Sequence, residues 1–178
     1  MSSYLTLEDL EEIKALSGFT ESEVFLLEKK FHALNPDKGQ ISIAGFLRLP
    51  ELNMPLSHRI PRALGISRLP GLDLKLFCKA LALFHPKAAI EDKTDFLFKL
   101  YDADGDGMLS REDLTGTLTA IAGRAADEDP ALIGYTVDKV FTELGDDGTG
   151  KLSRDDFVHG IASVELVKFI SFNLDQDT

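Results

Sequence analysis

Residues 102–113 read DADGDGMLSRED, and no other stretch of the chain restricts its fold so tightly. Asp102, Asp104 and Asp106 stand at positions 1, 3 and 5 of a twelve-residue loop, with Gly107 at position 6 and Met108 at position 7. In such a loop alternate side chains aim short carboxylates at one point, and the carbonyl of position 7 turns inward to join them. A hard cation such as Ca²⁺ or Mg²⁺ requires oxygens of this kind. Glycine at position 6 takes a backbone conformation that a Cβ would penalise. Leu109 at position 8 points into the apolar interior, Ser110 at position 9 serves the ion directly or through water, and Asp113 closes the loop at position 12. Ser110-Arg111-Glu112-Asp113 also has nearly the form of a capping box, so a helix opens where the loop ends. Phe96 to Tyr101 form an apolar flank before the loop, and Leu114, Leu118 and Ile121 recur at helical spacing after it.

This is the EF-hand arrangement, with metal ligands expected from Asp102, Asp104, Asp106, Met108 and Asp113. One departure matters. The motif asks for Glu at position 12, where a bidentate carboxylate completes the coordination of Ca²⁺, and Asp113 is one methylene shorter. A loop ending in Asp is expected to tolerate octahedral Mg²⁺ and to hold Ca²⁺ less tightly.

A single hand cannot bury its apolar face. Aligning the residue at position 8 with the one just after position 12 yields four pairs of equal spacing: Ile41 and Phe46, Leu72 and Phe77, Leu109 and Leu114, Leu152 and Phe157. The expectation is an all-α fold of four EF-hand units paired into two lobes, with two-residue strand pairings between the position 8 residues. Residues 1–88 would form the first lobe and residues 89–178 the second. The first loop, residues 34–45, carries Leu34, Pro36, Lys38 and Gly45 at positions 1, 3, 5 and 12, and cannot chelate. The second, residues 65–76, has no acid at those positions and Pro70 at position 6. Both read as degenerate hands kept for packing. The fourth loop, residues 145–156, retains Asp147, Thr149, Gly150, the carbonyl of Lys151 and Asp156, but Gly145 at position 1 removes a carboxylate, so its occupancy stays open. Residues 145–151 also fit a phosphate-binding G-x-x-x-x-G-K, yet Leu152 follows where Ser or Thr should hold Mg²⁺, and two aspartates would oppose the phosphates.

A net charge of −11 argues against nucleic acid, which needs clustered Lys and Arg. The lone Cys78 forms no internal disulfide and fits a reducing compartment. With neither signal-peptide regions nor a glycine after Met1 for lipidation, the chain is expected to be cytoplasmic, without a direct membrane anchor. His32, His58, His85 and His159 are scattered, and no nucleophile, base and orienter stand at known spacings, so it is not expected to be an enzyme.

Thr6 to Asp9 and Thr20 to Glu23 have the form of capping boxes, the second opening a helix with Val24, Leu27, Phe31 and Leu34 on one face. Asp129-Pro130 reads as another helix start, leading into Leu132, Ile133, Val137, Val140 and Phe141. Residues 47–70 are the least regular stretch. At the C-terminus Val164, Val167, Ile170 and Leu174 share a helical stripe, which either joins the core or covers a groove until a partner displaces it.

Phe31 with His32-Ala33-Leu34-Asn35-Pro36, Leu49-Pro50-Glu51-Leu52, His58-Arg59-Ile60, Phe98 to Asp102, Arg111-Glu112-Asp113-Leu114 and Phe169 to Leu174 resemble the calcineurin B-like EF-hand proteins, and among them the calcium- and integrin-binding protein family. The resemblance implies degenerate first and second hands, metal in the third and fourth, and a grip on an apolar helix of a partner. The chain departs from it at Ser2, where many members carry a lipid-accepting glycine, and at Gly145. Both readings lead to a Ca²⁺/Mg²⁺-binding regulatory protein that takes an amphipathic helix from a membrane-protein tail, kinase, phosphatase or motor into an apolar groove. Twelve Phe against three Met suggest a groove with a narrow range of partners. The alternative is a constitutive adaptor or subunit clasped by Mg²⁺ and indifferent to Ca²⁺.

Overall fold

The computed structural model describes residues 5–34, 36–144 and 148–161. The C-terminal stripe of Val164, Val167, Ile170 and Leu174 lies outside them, as do Gly145, Asp146 and Asp147 of the fourth loop. The chain divides into two compact units. The first comprises residues 5–53 and 66–89, the second residues 54–65 and 90–161.

In the first unit, α1 (Leu7–Ser17) and α2 (Glu21–Ala33) start where the sequence places them. Thr6 and Thr20 each accept the N–H of the residue three positions on, and the carboxylates of Asp9 and Glu23 return the bond to the cap backbone. Each box satisfies two donors that the helix leaves orphaned and contributes about 1 kcal/mol. Val24, Leu27 and Phe31 are buried along α2, while Leu34 caps its end half-buried. The first loop has become a tight hairpin: Asp37 and Gln40 exchange N–H···O bonds of 2.9 Å around Lys38 and Gly39, both at positive φ. After it come α3 (Ile43–Phe46) and a 3₁₀ turn at Pro50–Leu52.

The proline-containing stretch that follows supplies a second 3₁₀ turn, Ser57–Arg59, and the one-turn helix α4 (Ile60–Ala63), both in the second unit. The first unit closes with α5 (Leu74–Ala82), capped by Asp73, whose Oδ1 accepts the Leu76 N–H at 2.8 Å. Ile41 and Leu72 pair as an isolated antiparallel bridge, with N–H···O bonds of 2.9 and 2.8 Å in both directions. Gly71 permits that approach, since a Cβ there would lie 2.9 Å from the Ile41 carbonyl oxygen. Phe77 sits fully buried between the edges of Phe31 and Phe46, with ring centroids 5.4 and 6.0 Å apart. Burial pushes the neighbouring Cys78 thiol up to about 12, so it packs as a small apolar group.

The second unit contains α6 (Ile90–Tyr101), β1 (Leu109–Ser110), α7 (Arg111–Ala122), α8 (Arg124–Glu128), α9 (Pro130–Leu144), β2 (Lys151–Leu152) and α10 (Arg154–Ile161). Pro130 opens α9, and Asp129 before it accepts the Leu132 N–H at 3.1 Å. Strands β1 and β2 are antiparallel, pairing Leu109 with Leu152 and Ser110 with Lys151. All eight residues of the four aligned pairs are buried, so the repeat read from spacing is the framework of both units. Some apolar residues nevertheless stay outside the core: in α7 and α9 of this unit, Ile121, Leu132 and Tyr135 are 50%, 57% and 67% exposed. Arg111 ties these two helices together, its guanidinium 4.5 Å above the Phe141 ring and 2.5 Å from Asp138. Among the described residues no helix is long and apolar enough to cross a membrane.

Candidate metal centre

The loop between α6 and α7 begins inside the last turn of α6, where the Asp102 N–H still reaches the Phe98 carbonyl at 2.9 Å. Asp102 is buried, and its carboxylate organises the turn: Oδ1 accepts from Gly105 N (2.6 Å) and Oδ2 from Gly107 N (3.1 Å). Gly105 and Gly107 have φ of 79° and 84°, a region that side chains disfavour. Asp104 Oδ1 accepts the Asp106 N–H at 3.0 Å, and Asp106 Oδ1 the Met108 N–H at 2.8 Å. The loop is thus curled by its own carboxylates, and one oxygen each of Asp102, Asp104 and Asp106 falls within 4.8 Å of the others.

That spacing fits the ion expected from sequence. Ca²⁺ holds its oxygens at about 2.3–2.6 Å, so ligands on opposite sides of one ion are separated by about 5 Å. An all-oxygen, triply anionic donor set is what a hard divalent cation selects. Met108 is held beside the cluster through its N–H bond to Asp106.

Asp113 stands apart from the three converging carboxylates. It is buried, with Oδ1 accepting from Ala103 N (3.0 Å) and Oδ2 from both the N–H (3.0 Å) and the hydroxyl (2.5 Å) of Ser110. Its short arm therefore does two things at once: it caps α7 and ties the second residue of the loop to the twelfth. In the fourth loop Asp156 repeats the cap, accepting from Ser153 N (2.9 Å) and Oγ (2.6 Å), and Thr149 Oγ1 lies 3.3 Å from Lys151 N. Among the described residues only Asp102, Asp104 and Asp106 form a cluster with metal-ligand spacing.

Three basic residues at this centre are not readable from the loop motif. Arg59 and Arg62, from the irregular stretch of the second unit, cover the carbonyl end of α6. Arg59 Nη1 donates to the Leu100 carbonyl (3.3 Å) and to the hydroxyl of the fully buried Thr117 on α7 (3.1 Å). Arg62 donates through Nη1 to the Ala103 carbonyl (2.8 Å) and through Nη2 to the Asp102 carbonyl. Guanidinium groups there satisfy the acceptors that a helix C-terminus leaves open and oppose its negative dipole end. The third residue is Lys151 of β2, with Nζ 2.5 Å from Asp106 Oδ2. That hydrogen bond, followed by the Met108 N–H, holds the Asp106 carboxyl below its ordinary range.

Hands packed through their position 8 residues around one complete acidic loop define an EF-hand protein, and the family profile described as an EF-hand domain pair matches residues 91–162. Similarity extends much further. The chain is 36% identical over 177 residues to the type 2 calcineurin B protein of Dictyostelium discoideum, covering 96% of each, and 33% identical over 168 residues to type 1 from the same organism, covering 93% of this chain and 92% of the relative. The calcineurin B protein of Naegleria gruberi is 31% identical over 175 residues, covering 97% and 98%. The chain belongs to the calcineurin B family of EF-hand proteins, and is a Ca²⁺-binding regulatory protein rather than an enzyme.

Proposed function

We propose that the protein is the Ca²⁺-responsive subunit of a calcineurin-type phosphatase, binding an amphipathic helix of the catalytic chain, with Asp102, Asp104, Asp106, Met108 and Asp113 as the metal ligands. The convergence of Asp102, Asp104 and Asp106 at the junction of α6 and α7 carries the reading. An ion there attaches the end of one helix to the start of the next, so occupancy is expected to alter the angle between them. Ile121, Leu132 and Tyr135 supply exposed apolar surface on helices of the same unit, suited to the apolar face of a partner helix. The relatives are named as subunits of calcineurin and match this chain almost end to end, which favours a phosphatase among the partner classes. The lone reduced cysteine fits a cytoplasmic setting.

The test is a calorimetric Ca²⁺ titration of the full chain, metal-free and preloaded with Mg²⁺. The expected result is at least one Ca²⁺ bound in the micromolar range against Mg²⁺, with a synthetic amphipathic helix from a calcineurin catalytic chain binding more tightly once Ca²⁺ is present. Failure of Ca²⁺ to displace Mg²⁺ would support the second reading, a constitutive subunit clasped by Mg²⁺, which the short arm of Asp113 favours.

Asp113→Glu tests the ligand role of Asp113 through selectivity. A Glu at this position still completes a capping box with Ser110, and its extra methylene lets it offer two oxygens. The variant is expected to gain on the order of tenfold in Ca²⁺ affinity relative to Mg²⁺. Unchanged selectivity in competition titrations would remove Asp113 from the ligand set.

A further inference from the structure

We infer that Lys151, from the fourth hand, is a built-in competitor for the cation of the third, its ammonium holding Asp106 until the metal displaces it. This rests on the reading of residues 102–113 as the metal loop. The placement follows from the backbone. Pairing of Ser110 with Lys151 sets Lys151 directly across from the end of the third loop, and its side chain runs to Asp106 Oδ2 at 2.5 Å. Asp106 is one of the three carboxylates whose oxygens converge. Its Oδ1 already accepts the Met108 N–H that curls the loop, so both of its oxygens are engaged. Of the two partners, the ammonium is the one that can leave without unwinding the turn: it sits at the end of a flexible stem, with the Lys151 side chain 43% exposed.

Like charges then set the direction of the effect. An ammonium bound to one ligand of a dication site blocks that ligand in the metal-free state and is repelled once the ion arrives, so it weakens binding in both states. Lys151 is therefore shared between the two hands. By the motif its carbonyl belongs to the fourth loop at position 7, while its ammonium belongs to the third. A fourth hand with glycine at position 1 can in this way set the affinity of its neighbour whether or not it holds an ion itself.

The test is calorimetric Ca²⁺ titration of the full-length wild-type protein and three variants, following the binding event that Asp102→Ala abolishes. Lys151→Met is expected to tighten that event about three- to thirtyfold at low ionic strength, with a smaller gain as salt screens the charge. Lys151→Arg, which keeps the charge, should stay within about threefold of wild type on the same Coulomb reasoning. Lys139→Met removes an equal charge from α9, where the exposed Lys139 pairs with Glu143 at 3.7 Å rather than with a loop carboxylate, and is expected to change affinity by less than about twofold because an exposed charge is screened. If Lys151→Met binds no more tightly than wild type, or gains no more than Lys139→Met, the competitor role is wrong and the metal loop stands. If no variant and no wild-type protein binds Ca²⁺, the metal loop itself is wrong and this inference falls with it.

Discussion

Asp102→Ala is expected to weaken Ca²⁺ binding at the third hand by about a hundredfold or more, the largest loss from any single change in the loop. Two consequences combine. The substitution removes a carboxylate from a cluster of three, and it removes the acceptor on which the loop is wound, since Asp102 takes the N–H groups of both Gly105 and Gly107. Left without that carboxylate, two part-buried donors lose their partner, at about 1–3 kcal/mol each where water cannot replace it. Relief of repulsion from Asp104 and Asp106 offsets part of this in the metal-free protein. Calorimetry reads the affinity, and thermal denaturation with and without Ca²⁺ reads the loop: wild type is expected to gain stability from Ca²⁺ by mass action, and the variant to gain almost none. An Asp102→Ala protein that still melts higher in Ca²⁺ would place the functional site elsewhere.

The parts of this centre that sequence reveals are those encoded within a dozen neighbouring residues. Asp102, Asp104 and Asp106 converge because a loop with glycine at the fourth and sixth positions has few ways to curl, and spacing alone conveys that. The pairs at position 8 are equally local, since one apolar residue at fixed distance from the next helix marks each hand, including the two that bind nothing. Ile41 meets Leu72 and Leu109 meets Leu152 although the chelating residues of the first two loops are gone. Packing preserved them where coordination did not.

Arg59 and Arg62 had no such signal. They lie some forty positions from the carbonyls they reach, in a stretch whose prolines conceal any periodicity, and a basic residue on a solvated turn has the same appearance in sequence whether or not it clasps a helix end. Lys151 is the intermediate case. Its carbonyl was readable as a loop position, and the pairing of Leu109 with Leu152 fixes Lys151 opposite Ser110. What sequence could not supply was the direction of its side chain, which points out of its own loop into the neighbouring one. The double role of Asp113 was likewise half legible: the capping box was visible in Ser110 to Asp113, but the bond from Ala103 N that ties both ends of the loop together is made by the curl itself.

Phe157→Ala is expected to cost the second unit about 3–5 kcal/mol, the range for truncating a buried aromatic side chain. Phe157 is 1% exposed on α10, and its ring meets the edges of Phe98 at 5.6 Å and Tyr101 at 6.0 Å, both on α6. These contacts join the last helix of the fourth hand to the first helix of the third, directly behind Asp102. Deleting the ring leaves a cavity between the two helices, and a surface pair such as Arg154 with Asp95 contributes little to offset the lost apolar contact. A fall in melting temperature on the order of 10 °C or more follows from that loss. Because the ion binds only the assembled hand, Ca²⁺ affinity should fall with stability, and saturating Ca²⁺ should restore part of the lost melting temperature. Thermal denaturation of the full chain at several Ca²⁺ concentrations measures both. A variant that melts lower yet binds Ca²⁺ as tightly as wild type would mean that the third hand holds its ion without the support of the fourth.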